Sequence, residues 1–197
     1  MFNSAPFEAP RWLFIVAGAI FFLSGCQFGT KPVIKIGLIA PFEGELSHIG
    51  YQRLYGVKLA LQEVNHQGGI AGYKIELVAL NDFGDKQESL SQIQELIIDD
   101  DIKAVVGQWD SDLFSQAVGV YDTAELTVID PTQFADTSSL SDTFDVSYQQ
   151  LSHTPPTIDA KQAYLATSHL IHMLEQTIST YGQPIRAHIW HASNVAK

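Results

Sequence analysis

Four short apolar runs, each separated from the next by an amphipathic stretch, limit what this chain can fold into more than any other feature. They are "VIKIGLIAP" (33–41), "YKIELVAL" (73–80), "IKAVVG" (102–107) and "LTVIDP" (126–131). Each is rich in β-branched residues and is closed by Gly, Pro or a polar turn, the pattern of a buried strand. Between the first two, Leu54, Val57, Leu61 and Val64 recur at helical spacing, with Gln52, Arg53, Lys58, Gln62 and Glu63 at the other positions. That is an amphipathic helix, which Gly68-Gly69 can end. Leu90, Ile93 and Ile97 repeat the spacing before the third run, and Leu113, Ala117, Val120 and Ala124 before the fourth. The order β-α-β-α-β-α-β with short connections predicts an α/β fold. It is a doubly wound parallel sheet with right-handed crossovers and helices on both faces. Ligands of such sheets sit at the carboxyl ends of the strands. Those ends are "APFEGELSHIG", "NDFGD", "GQWDSD" and "DPTQF".

Beyond residue 135 the pattern changes. "ADTSSLSD" is polar and loop-like, "TFDVSYQQL" (143–151) reads as a short strand, and "SHTPP" is a break. "TIDAKQAYLATSHLIHMLEQTISTYG" (157–182) reads as a long helix with Ala163, Leu170, Leu174 and Ile178 on its apolar face, and "IRAHIWHAS" (185–193) as a strand. The expected division is a leader at 1–25, a tether at 26–32, a first lobe at 33–150 and part of a second lobe at 151–197. On that division Leu170, Ile171, Leu174 and Ile178 should lack the sheet that would cover them.

Composition is ordinary for a globular protein, and the net charge of −11 argues against nucleic acid, whose phosphates need Lys and Arg. At the N-terminus, "LFIVAGAIFFL" (13–23) follows a weakly positive start. It is too short for a stable membrane span but suits the core of a signal peptide. Leu23-Ser24-Gly25-Cys26 follows and resembles the bacterial lipobox at all four positions. The resemblance implies cleavage before Cys26, lipid attachment to its thiol, and a membrane-anchored extracytoplasmic protein.

The stretches "IKIGLIAPFEGELSHIG", "GVKLALQEVNHQGGIAGYKIELVALND", "IKAVVGQWDSD" and "LTVIDPTQF" together resemble the first lobe of the type I solute-binding proteins. That family includes the leucine/isoleucine/valine-binding proteins of branched-chain amino-acid importers. The resemblance implies an amino acid or related small polar solute as ligand and an ABC permease as partner. It implies no cofactor and no enzyme activity. Carried over by position, the ligand loops hold Trp109 and Ser111 after the third strand, and Thr132, Gln133 and Phe134 after the fourth. Ile49 stands where an aromatic often packs on the ligand. Asp110 and Asp112 flank Ser111 and would repel a carboxylate. Members of the family continue into a second lobe, so this chain is expected to be a truncated or degenerate member. The alternative is a regulatory or structural lipoprotein that uses the lobe to bind protein, as activators of cell-wall synthases do.

Other constellations are less specific. His169 and His172 lie one helical turn apart, while His188 and His191 would face opposite sides of a strand. Asp99, Asp100 and Asp101 read as a solvated helix end. Asp82 and Asp85 suit a polar turn better than an acid–base pair. Ser111 lacks a G-x-S-x-G elbow, and no G-x-G-x-x-G follows the first strand.

Overall fold

The computed structural model describes residues 31–107, 109–184 and 186. The leader, Cys26 and the strand expected from residue 185 fall outside them, except for Arg186. β1 (Val33–Ala40) is the centre of the sheet. β2 (Lys74–Asn81) runs parallel on one side, with Val33 opposite Lys74 and Ala40 opposite Asn81. β3 (Ile102–Val106) runs parallel on the other side, and β4 (Thr127–Ile129) lies beyond it, giving the order β2-β1-β3-β4. The doubly wound parallel sheet expected from the strand–helix alternation is the fold observed.

Helices cover both faces. α1 (Ser47–His66) packs on the face carrying Ile34, Ile36, Leu38, Ala104 and Val106. α2 (Lys86–Ile98) and α3 (Ser111–Thr123) pack on the other, around Ile39, Val105 and Val128. The end of α1 is fixed to β2 by Asn65, whose side chain accepts from the Ile75 N–H at 2.9 Å and donates to the Ile75 carbonyl at 2.7 Å. This bond gives the "NHQGGIAG" connection a structural task. The acidic run at 99–101 is not simply solvated. Lys35 pairs with Asp99 at 2.8 Å and Asp101 at 3.3 Å, and Arg186 donates to the carbonyls of Ile97 and Asp99. Those cations answer both the carboxylates and the free carbonyls at the end of α2.

Two expectations are corrected beyond β4. The run 143–151 is not a strand but lies in α4 (Asp142–Ser152). Read at period two, Phe144, Val146 and Tyr148 would share one face. In the structure Phe144 and Tyr148 are buried against Leu59 and Ala160 while Val146 is exposed, which only a helical spacing allows. Asp142 and Asp145 in its first turn suit the positive end of the helix.

The second correction concerns α5 (Ile158–Tyr181). Its apolar face is not left without a sheet. Leu170, Ile171, Leu174 and Ile178 are buried in the same core as Ile34, Ile36, Val106 and Ile129. In a sheet of this order, α1 covers β1 and β2, and the next helix after β4 is needed over β3 and β4. α5 fills that place, and each fully buried Leu or Ile there contributes roughly 1.5–3 kcal/mol. The packing of the described residues therefore does not divide at residue 150.

α1 and α5 approach closely. A Cβ on Gly56 would overlap the Ala160 carbonyl oxygen and crowd Ala163, so only glycine fits there. Gln52 laces the α4–α5 connection onto α1: its Oε1 accepts from the Tyr148 hydroxyl at 2.8 Å and the Thr157 N–H at 3.0 Å, and its Nε2 donates to the Pro155 carbonyl. Among the described residues no helix is long and apolar enough to cross a membrane.

Candidate functional site

The connections from β1 and β3 leave toward opposite faces, which opens a crevice at their carboxyl ends. Its volume is about 200 Å³. Three loops build it. The β1–α1 segment supplies Pro41, Leu46 and, from α1, Arg53; the β2–α2 turn supplies Asp82, Asp85 and Lys86; the β3–α3 turn supplies Trp109 and Asp110. Asn81 holds the first two loops in register, since its side-chain oxygen accepts from the N–H groups of Phe42 at 2.8 Å and Phe83 at 3.0 Å. Gly50 lets the start of α1 settle on the first loop, because a Cβ there would overlap the Pro41 carbonyl oxygen.

Asp85 and Asp110 are spent on the helices they precede. Asp85 accepts from the N–H groups of Gln87 and Glu88, and Asp110 from that of Leu113 at 2.8 Å. These are N-caps, each worth about 1 kcal/mol. The Leu113 N–H and then the Lys86 ammonium hold the Asp110 carboxyl below its ordinary range.

Arg53 is the centre of the site. Its guanidinium lies 4.4 Å from the centroid of the Trp109 ring and pairs with Asp159 of α5 at 2.9 Å. Burial pulls its pKa down, and Asp159 pulls it back. The Trp109 Nε1–H is buried with no hydrogen-bond partner among the described residues. Asp82 is buried, and desolvation pushes its carboxyl up, against the Gly84 N–H and the Arg53 charge. Phe83 beside it has a positive φ of 53° and is exposed, as is Leu46, which lines the crevice.

Of the six ligand residues expected from sequence, Trp109 lines this crevice. Ser111 is the first residue of α3 and is exposed. Ile49 is half-buried in the first turn of α1. The other three belong to a short 3₁₀ turn after β4 (Pro131–Gln133) and its cap. There Asp130 accepts from the Thr132 N–H at 2.9 Å, the Thr132 hydroxyl at 2.7 Å and the Gln133 side-chain amide at 3.1 Å. Phe134 packs on His169 of α5, with ring centroids 5.8 Å apart. The donors of this loop are engaged inside the protein.

Sequence reasoning had placed Arg53 on the polar face of a helix and Asp82 in a turn. The available signal was position: both lie next to the carboxyl ends of adjacent parallel strands. The histidine pair does not converge. His169 is half-buried, and desolvation first, then His172, pulls its pKa down; His172 is exposed beside Glu175.

The family of periplasmic binding proteins matches residues 33–164, which is more than half of the chain. The chain belongs to that family, and its lobe is of the type I kind. Leu/Ile/Val-binding protein homolog 7 of Brucella abortus (strain 2308) is 30% identical over 107 residues, covering 53% of this chain and 26% of that protein. The Leu/Ile/Val-binding protein of Escherichia coli (strain K12) is 26% identical over 98 residues, covering 50% and 26%. Among solved structures, the branched-chain amino acid transporter substrate binding protein LivJ from Streptococcus pneumoniae, in complex with isoleucine, shares 32% identity at a TM-score of 0.47. That match covers 50% of this chain and 28% of the other. The chain thus matches about a quarter of the length of these curated relatives. Those named are binding proteins rather than enzymes.

Proposed function

We propose that this chain is the solute-binding lobe of an extracytoplasmic receptor serving an ABC importer, held to the membrane by lipid on Cys26. The observation that carries the reading is the crevice at the carboxyl ends of β1, β2 and β3 in a chain of the periplasmic binding protein family. Its ligand is an amino acid or related small polar solute, and an ABC permease receives it. Trp109 is the residue most directly placed to touch that solute. Ser111 and Ile49 stand beside the same strand ends. Thr132, Gln133 and Phe134 act mainly by shaping the neighbouring loop.

Binding calorimetry on the full chain in mild non-ionic detergent tests this, using amino acids, amides, amines and small polyols. Saturable heat for at least one solute is the expected result. No heat from any solute at millimolar concentration contradicts it. Mass spectrometry of the mature N-terminus tests the anchor: a diacylglyceryl group on Cys26 is expected, and an intact Met1 would refute it.

One observation favours a second reading. The exposed apolar side chains Leu46, Tyr51 and Phe83 suit a protein partner. Crosslinking in membranes separates the two readings. Recovery of a permease supports the first, and recovery of a cell-wall synthase supports the second.

A further inference from the structure

Charge and burial in the crevice say more about its ligand than the family resemblance does. Both cations that line it are already paired. Arg53 binds Asp159 at 2.9 Å and stacks on Trp109, and Lys86 binds Asp110 at 3.2 Å. Two of the three lining carboxylates, Asp85 and Asp110, cap helices. Asp82 is the exception. It is only 9% exposed and it lines the cavity, and Arg53, whose charge reaches it, gives its direct salt bridge to Asp159 instead. The Gly84 N–H meets one of its oxygens at 2.9 Å, and the Ser89 side chain also bonds the carboxylate. A carboxylate has about four lone-pair sites, so acceptor capacity remains. A buried carboxylate without a paired cation is costly, and a ligand that brings the cation removes that cost. An entering carboxylate would find no unpaired guanidinium or ammonium and would meet the Asp82 charge. The other walls are apolar: Ile39, Pro41, Leu46 and Leu113, with the ring of Trp109.

We propose that this crevice selects a compact solute with an ammonium head, which pairs with the Asp82 carboxylate while its carbon part packs on Trp109 and Leu46. The proposal rests on the solute-binding reading above and names the ligand class of that same site. Asp82 is then a specificity-determining residue, and a free carboxylate on the ligand is a handicap in this lobe.

The test titrates the full chain with n-butylammonium, n-butyrate and L-leucine, followed by calorimetry and by tryptophan fluorescence. Trp109→Phe identifies the part of the signal that comes from the crevice. n-Butylammonium is expected to bind and to change Trp109 emission, with n-butyrate at least tenfold weaker. Asp82→Asn should weaken the ammonium by about tenfold or more, since the charge-assisted hydrogen bond becomes one to a neutral acceptor. Glu95→Gln, exposed on α2 and away from the crevice, should leave binding unchanged. The wild-type preference between the two butyl probes stands as evidence even if Asp82→Asn folds poorly. Binding of n-butyrate or L-leucine in preference to the amine, or an Asp82→Asn chain that binds the amine normally, overturns the proposal and leaves solute binding intact. Silence from these probes and from the wider panel overturns both.

Discussion

The loops after β2 and β4 leave the same end of the sheet, and each carries a buried aspartate, yet the two aspartates are in opposite situations. Asp130 receives the Thr132 N–H, the Thr132 hydroxyl and the Gln133 amide, and its loop is sealed by Phe134 against α5. Asp82 receives the Gly84 N–H and the Ser89 side chain, with the Arg53 charge nearby, yet it faces a cavity, and desolvation pushes its carboxyl up. Burial alone does not make a site. What separates the two is whether the partners that the protein supplies close the loop off or leave the carboxylate facing a cavity. The β4 loop is complete within the chain, whereas the β2 loop has capacity left for something brought from outside.

The largest test of that contrast is at the sealed side. Leu170→Ala removes a side chain of α5 that is buried in the core and should cost about 3 kcal/mol in urea unfolding. Leu46→Ala on the crevice rim should stay within about 0.5 kcal/mol, because Leu46 is 45% exposed. Comparable losses at both positions would mean that the rim is part of the core. Next in size is Asp130→Ala, which strands three donors and should cost about 2 kcal/mol while leaving ligand affinity at the crevice unchanged. A drop in affinity there would join the two loops into one site.

The smallest effects are in pH dependence, and the two regions should slope in opposite directions. Asp82 titrates in the fold above 3.8, so in that window the native chain holds a proton that the unfolded chain has lost. Its contribution to stability is full below 3.8 and declines as pH rises through the folded value. His169 titrates in the fold below 6.5, so there the unfolded chain binds the extra proton. Its contribution grows as pH rises through that window and is complete above 6.5. Each effect is on the order of 1 kcal/mol or less. Asp82→Asn should flatten the acidic slope and His169→Gln the nearly neutral one, both read from melting temperature against pH. Slopes of the same sign would contradict the assignment.

These contrasts were only partly legible in the sequence. The strands and first three helices follow from local apolar spacing, which survives folding because the sheet buries most of β1, β3 and β4 and, at the edge, Ile75 of β2. The segment 143–151 misled because Phe144, Val146 and Tyr148 satisfy period two, and only the exposure of Val146 settles the matter. The role of α5 was hidden for another reason: its apolar face shows that it is covered but not by what. The small residues Gly56, Ala160 and Ala163, far apart in sequence, make that contact. At the site, Trp109 was legible from its place after β3. The pairing of Arg53 with Asp159 and of Asp130 with its own loop depends on distances that no spacing rule contains.

The most direct measurement of the central claim is amide hydrogen exchange on the full chain, with and without a saturating solute found by calorimetry. Protection should appear in the loops at 41–46, 82–86 and 109–113, with residues 131–134 and α5 unchanged. Protection centred on 131–134 and α5, with none at the β2 and β3 loops, would contradict the placement of the binding site at the crevice.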